Sequence, residues 1–132
     1  MSFAYFVSRL TSAAKVNYDK LCSKIFEVDR NIRFAGVIDK MGRLLAGGMR
    51  PGIEPMEPRM DSQKLYLDFA FRTAMRHDFD STFGRVIYTL SEREKIKFVS
   101  VPLTEYLVLV TIEKGAPHEA VLKTILKLTK KM

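Results

Sequence analysis

The chain has 132 residues, of which 47% are hydrophobic and 28% charged, a balance typical of one folded globular domain and unlike that of a disordered chain. Its net charge of +7 raises the possibility of nucleic-acid binding, but most basic residues alternate with acidic ones, so we interpret the charge as favouring solubility. A single cysteine, Cys22, excludes an intrachain disulfide and a multi-cysteine metal site, and it indicates a cytoplasmic protein.

The first apolar run, residues 3–7, is too short to span a bilayer, and no basic residue precedes it as in a signal peptide. We therefore interpret residues 1–14 as an N-terminal extension able to form a short helix, followed by a single domain over residues 15–132.

Residues 15–29 predict an amphipathic helix whose apolar face repeats at helical spacing. That face contains Tyr18, Leu21, Cys22, Ile25 and Phe26. Within such a stripe, Cys22 is expected to be a buried, unreactive thiol.

The segment from Ile32 to Met49 reads IRFAGVIDKMGRLLAGGM and predicts a β-hairpin. Asp39 can bond to the backbone at the start of the turn, and Gly42 can supply a residue with positive φ. A phosphate-binding loop would lead directly into a helix. Here Gly47 and Gly48 lead into the proline-containing loop of residues 50–58, so we interpret these glycines as structural.

A second helix is predicted from an N-cap at Asp61 through residue 78. Its helical spacing predicts one broad buried arc, made of Tyr66, Leu67, Ala70, Phe71, Ala74 and Met75. Leu65 and Phe69 fall outside this arc, beside Arg72 and Arg76. Two large apolar residues framed by arginines on an exposed face indicate a surface that binds a partner.

Three strands and a final helix complete the pattern. The strands are expected over residues 85–91, 96–103 and 106–112, and the last is apolar throughout, as is typical of a central strand. The final helix is expected over residues 116–131, with Pro117 in its first turn, Glu119 near its N-terminus and lysines near its C-terminus. The predicted fold is therefore α+β, with a five-stranded antiparallel sheet and the order α-ββ-α-βββ-α.

The sequence contains no recognised catalytic motif. His77, Asp78 and Asp80 could on paper bind a divalent metal, but neighbouring positions at a helix end do not converge on one point. His118 has no partner nearby in the sequence beyond Glu119, and we assign it no role. We therefore expect neither an enzyme nor a bound metal or cofactor.

The order of elements resembles the roadblock, or dynein light-chain-like, architecture, a relative of the profilin and longin folds. The stretch FAGVIDKMGRLLAGGM resembles the opening hairpin of that family. Three stretches, IRFAGVIDKMGRLLAGGMRPGIEPM, MRHDFD and VPLTEYLVLVTIE, look like a group of archaeal proteins without an assigned activity.

This resemblance implies a non-enzymatic homodimer that scaffolds complexes or regulates a small GTPase. In such dimers the second helix and the third strand pair across the two-fold axis. The residues that this would place at the dimer seam are Leu65, Phe69, Arg72, Arg76, Arg85 and Ile87. The long proline-containing loop departs from the family pattern and weighs against a conserved GTPase-contacting surface.

Two alternatives remain open from the sequence. A small-molecule sensor would hold a ligand between sheet and helices, in an apolar cavity with a few convergent polar groups. A nucleic-acid-binding protein would use a basic and aromatic strand face, for which the candidates are Arg85, Tyr88, Lys97 and Phe98.

Overall fold

The computed structural model describes residues 11–132. Its elements in chain order are α1 (Ser12–Val28), β1 (Ile32–Ile38), β2 (Leu44–Met49), α2 (Arg59–His77), the short α3 (Asp80–Phe83), β3 (Thr89–Glu92), β4 (Ile96–Pro102), β5 (Leu107–Glu113) and α4 (His118–Thr129). The predicted order α-ββ-α-βββ-α is confirmed, with α3 as an added turn of helix. Residues 1–10 of the expected extension lie outside the described residues, and α1 includes residues 12–14.

The five strands form one antiparallel sheet in the order β2-β1-β5-β4-β3. β5 lies at the centre, and every residue in it except Glu113 is buried. This confirms the prediction of a central strand covered on both faces. β2 and β3 form the two edges of the sheet.

The two faces of the sheet carry different helices, because successive side chains of a strand point to opposite faces. On one face, α1 and α4 pack against the larger core cluster, which includes Leu21, Ile25, Val37, Val99, Val110, Val121 and Ile125. On the other face, α2 packs against two smaller clusters built from Phe34, Phe98 and Leu109 and from Ile38, Ala70 and Leu107.

The hairpin between β1 and β2 has the turn chemistry predicted from the sequence. The Asp39 carboxylate accepts hydrogen bonds from the backbone N–H groups of Met41 and Arg43, both at 2.9 Å. Gly42 has φ +76°. At Gly47, also with positive φ, an added Cβ would overlap the carbonyl oxygen of Ala35. The structural interpretation of Gly42 and Gly47 is confirmed, whereas Gly48 has positive φ but no atom within 4 Å of an added Cβ.

Two predicted boundaries are wrong. α2 begins at Arg59 with Pro58 as its N-cap residue, so Asp61 lies in the first turn of the helix and does not cap it. Proline fixes φ near the helical value and therefore suits a helix start. β3 begins at Thr89 and not at Arg85. Because Thr89 pairs with Ser100, Ile87 would face Pro102, which has no N–H to donate to the ladder.

Among residues 11–132, no helix combines the length and the apolar character needed to cross a membrane.

Candidate interaction surface

The orientation of α2 on the sheet is set by two aromatic contacts. The ring centroid of Phe69 lies 5.2 Å from that of Phe98 on β4, and the rings of Tyr66 and Phe34 stack at 5.5 Å. Leu65 packs against the same cluster as Phe69. The predicted exposure of Leu65 and Phe69 is therefore wrong, because aromatic side chains on β1 and β4 receive this side of the helix.

The opposite side of α2 carries large apolar side chains that are exposed. The exposed fractions are 91% for Met60, 54% for Phe71 and 68% for Met75. At 3.6 residues per turn, these three lie within about 60° of one another on the helix. Phe71, Ala74 and Met75 were predicted to be buried, and that assignment is wrong. Ala70 is the only buried residue of the helix.

The exposed apolar residues continue beyond α2. Phe79 precedes α3 and Phe83 is its last residue, with ring centroids 6.3 Å apart. Ile87 and Tyr88 follow in the unpaired segment before β3. We call this set the outer apolar surface, comprising Met60, Phe71, Met75, Phe79, Phe83, Ile87 and Tyr88. It holds seven of the twelve large hydrophobic residues exposed within residues 11–132. Exposed apolar side chains that share one face, as Phe71 and Met75 do on α2, are typical of an interaction site, whereas scattered ones are not.

Three arginines accompany the outer apolar surface. Arg72, Arg76 and Arg85 are all exposed. Arg72 donates to the Asp68 carboxylate at 3.1 Å, and no ion pair involving Arg76 or Arg85 forms within the described part of the chain. Of the six residues predicted at a dimer seam, these three and Ile87 are exposed, and Leu65 and Phe69 are partly buried.

β3 adds a second candidate interaction surface, the backbone of an edge strand. This strand pairs only with β4, so its other edge presents backbone N–H and C=O groups without a strand partner among the described residues. Such an edge is a template for pairing with another chain. The edge begins directly after Ile87 and Tyr88 of the outer apolar surface.

The basic and aromatic strand face considered for nucleic acid is not formed. Lys97 and Phe98 are buried, with exposed fractions of 7% and 8%, and they point to opposite sides of the sheet. The Lys97 ammonium donates to the carbonyl oxygen of Ala116 at 2.7 Å and lies 3.1 Å from Nδ1 of His118. Phe98 packs beneath α2.

The space between α2 and the sheet does not resemble a ligand pocket. The cavity lined by Phe34, Tyr66 and Phe98 has a volume of about 20 Å³, whereas ligand pockets typically measure roughly 300–1,000 Å³. A larger depression of about 440 Å³ is lined by the consecutive residues 92–96 of the β3–β4 turn and is open to solvent. It lacks the convergent apolar lining that a small ligand needs.

His77 and Asp80 come together more closely than their sequence positions suggested. Nδ1 of His77 lies 2.5 Å from a carboxylate oxygen of Asp80 across the junction of α2 and α3. Asp78 does not join them, and residues 11–132 contain no group of three His, Cys, Asp or Glu side chains that could hold a metal ion.

Cys22 is buried against Gly47 in the core beneath α1. Burial, with a smaller contribution from the Asp19 carboxylate, raises the pKa of the Cys22 thiol to about 12. A thiol with such a high pKa is not a nucleophile at neutral pH, which confirms the expectation of an unreactive cysteine.

Comparison with known proteins agrees with this geometry. Residues 11–132 match DUF6659, described as a family of unknown function. No curated protein matches the sequence. Among solved structures, the gliding protein mglB of Thermus thermophilus is similar with a TM-score of 0.72 and 16% identity over 92% of each chain.

A roadblock/LC7 domain of Streptomyces avermitilis has a TM-score of 0.65 and 11% identity, over 86% of this chain and 92% of that one. Profilin II of Acanthamoeba castellanii has a TM-score of 0.60 and 9% identity, over 86% and 94%. At these identities the similarity shows the fold alone. The fold is roadblock-like and related to that of profilin.

Proposed function

We propose that this chain, which belongs to DUF6659, a family of unknown function, is a non-enzymatic protein-interaction module that forms a two-fold homodimer. The observation that carries this proposal is the outer apolar surface on α2, α3 and the segment before β3. A helix with one apolar side on its own sheet and another facing outward is suited to burial between two layers.

A second copy of the chain is the occupant that we propose for this surface. An isologous interface places the same patch on both partners, so the outer apolar surface of one copy would face that of the other. Phe71 and Met75 would form its centre, since aromatic residues and methionine are enriched in interface cores. A similar solved structure, with a TM-score of 0.69, is described as MglB with tetrameric arrangement, which supports self-association.

The proposed seam keeps four of the residues predicted from the sequence. Arg72, Arg76, Arg85 and Ile87 stay in it, because their side chains are exposed next to the outer apolar surface. Leu65 and Phe69 contribute from beneath by holding α2 on the sheet. Phe71 and Met75 take their place as the contacting residues.

The proposed role of the dimer is that of a scaffold or regulator in the cytoplasm. The resemblance to roadblock domains makes a small GTPase one candidate partner. The open edge of β3 offers hydrogen bonds that either the second copy or such a partner could use. The structure gives no comparable support to a sensor or to a nucleic-acid-binding strand face, because the inner cavity is small and Lys97 is buried.

Replacing Phe71 with Glu tests the proposal, with the Met41→Glu variant as the matched control. Met41 has an exposed fraction of 56%, similar to that of Phe71, but lies in the β1–β2 turn. Sedimentation velocity at micromolar concentration should show a dimer for the unmodified chain and the control, and a monomer for Phe71→Glu. A dimer that survives Phe71→Glu and also Met75→Glu would place the interface elsewhere.

A further inference from the structure

The net positive charge of the chain is concentrated on one side of the sheet. Residues 12–30 and 114–131, which form α1, α4 and their flanks, contain nine basic and four acidic residues. Residues 32–113 contain twelve basic and eleven acidic residues. The two-helix layer of α1 and α4 therefore carries a net charge of +5 out of the total of +7, and the rest of the described chain is nearly neutral.

Lys15 pairs with Asp19 and Lys114 pairs with Glu92, but the other lysines of this layer are exposed and have no ion-pair partner among the described residues. On α4, the core side is formed by Val121, Leu122 and Ile125. The lysines at positions 123, 127 and 130 are spaced i, i+4, i+7 and lie on the opposite side of the helix. On α1, the exposed lysines at positions 20 and 24 also lack an ion pair. We call this set the lysine face, comprising Lys20, Lys24, Lys123, Lys127 and Lys130.

The lysine face lacks the side chains typical of specific nucleic-acid recognition, although lysines alone can neutralise phosphates without sequence preference. Binding of single-stranded nucleic acid uses aromatic side chains for stacking, and duplex recognition uses arginine forks on base edges. In α1 and α4 no aromatic side chain is exposed, and Arg30 is the only arginine of the layer. Lysine ammonium groups act as point charges on flexible stems, which suits a diffuse plane of negative charge.

We propose that the lysine face docks reversibly on an anionic lipid membrane surface. The two helices pack side by side on the same face of the sheet, so their lysines lie on one layer of the molecule. Val16 is the only large hydrophobic residue exposed on this layer within the described α1 and α4. Binding is therefore electrostatic and does not involve insertion of a hydrophobic side chain. Because the lysine face lies on the other side of the sheet from α2, this inference does not depend on the proposed dimer.

Co-sedimentation of the full chain with vesicles tests the inference. Vesicles of phosphatidylcholine with about 30% phosphatidylserine should bind the chain, and pure phosphatidylcholine should not, because juxtamembrane lysines gain attraction only from anionic lipids. Raising the salt concentration to about 0.5 M should abolish binding by screening. Absence of binding to the anionic vesicles at low salt overturns the inference.

A matched pair of triple variants locates the surface. Replacing the lysines at positions 123, 127 and 130 by Gln removes three charges of the lysine face and retains residues that favour a helix. The control replaces Arg43, Arg93 and Lys95 by Gln, which removes three exposed charges elsewhere. The first variant should bind on the order of 100-fold more weakly, at about fivefold for each lysine, and the control should bind nearly unchanged. Equal losses in both variants overturn the inference.

A titration with DNA tests whether the lysine face binds nucleic acid in preference to a membrane. Fluorescence anisotropy with mixed-sequence duplex DNA, in the same low-salt buffer, should show weaker binding than to the anionic vesicles. If DNA binds more tightly, and the triple lysine variant abolishes that binding, the lysine face is a nucleic-acid surface and the membrane inference is wrong.

Discussion

The ring of Phe69 on α2 packs against the ring of Phe98 on β4, with 5.2 Å between their centroids. This contact turns one side of α2 towards the sheet and leaves Phe71 and Met75 on the solvent side. The exposed apolar surface is therefore a consequence of how the helix docks, and the two sides of α2 should respond differently to mutation.

Phe69→Ala should lower the free energy of unfolding of the monomer by about 2–3 kcal/mol, because it removes a partly buried ring from a packed cluster. Phe71→Ala should lower it by less than about 0.5 kcal/mol, since Phe71 is 54% exposed in the monomer. Urea unfolding in a Met75→Glu background measures both without a contribution from self-association. Equal losses would contradict the observed orientation of α2.

A second prediction concerns the glycine at the close approach of β2 to β1. Gly47→Ala should lower the free energy of unfolding by more than about 3 kcal/mol, because an added Cβ has no room beside the Ala35 carbonyl and φ is positive. Gly52 has a similar φ of +85° but no atom within 4 Å of an added Cβ. Gly52→Ala should therefore cost only about 1 kcal/mol. Thermal unfolding of the two variants gives the comparison, and similar losses would show that the close approach is not important.

We predict that the buried side chain of Lys97 stabilises the folded chain. Its ammonium donates to the carbonyl oxygen of Ala116, just before α4, from a buried position. Lys97→Met retains the apolar stem but leaves this carbonyl without its donor, so we expect a loss of about 1–2 kcal/mol in unfolding free energy. Lys95→Met, in the exposed β3–β4 turn, should change it by less than about 0.5 kcal/mol. A Lys97→Met variant as stable as the control would show that the contact contributes nothing.

The stability of the chain should fall at alkaline pH partly through Cys22. Burial raises the pKa of this thiol from 9.0 to about 12 in the folded state, so the folded chain keeps a proton that the unfolded chain loses. The contribution to stability is present below pH 9 and is lost as the pH rises from 9 towards 12. One such proton corresponds to a slope of up to about 1.4 kcal/mol per pH unit.

The Cys22→Ala variant separates this contribution from the rest. Burial also raises the pKa values of Tyr18 and Tyr66, so both proteins lose stability at high pH. The variant should show a smaller slope of unfolding free energy against pH between 9 and 12. Identical slopes in the two proteins would mean that the thiol is not protonated preferentially in the folded state.

The order of helices and strands could be predicted from the sequence, because the residues that define each element lie close together along the chain. The hairpin turn, for example, follows from Asp39 and Gly42 alone. The face of α2 could not be predicted in the same way. Apolar residues occupy both sides of this helix. Phe34 on β1 and Phe98 on β4 decide which side packs against the sheet, and their positions cannot be read from the sequence of α2.

Long-range partners were missed for the same reason. Lys97 and His118 are 21 positions apart, and no spacing in the sequence connects them. The first residue of β3 is determined by its register against β4, which brings Pro102 opposite Ile87. That register could not be read from the sequence of β3 alone. The sequence analysis placed Leu65 and Phe69 outside the main apolar arc of α2 and predicted that they are exposed. In the structure they pack on the sheet, and the exposed residues are Phe71 and Met75 on the opposite side of the helix.

The mass of the unmodified chain in solution tests the central claim most directly. Sedimentation equilibrium at micromolar concentration and about 0.5 M salt suppresses electrostatic association and retains apolar contacts. We expect a mass twice that of the 15.1 kDa chain. A mass of 15.1 kDa across that concentration range would show that Phe71 and Met75 do not meet a second copy.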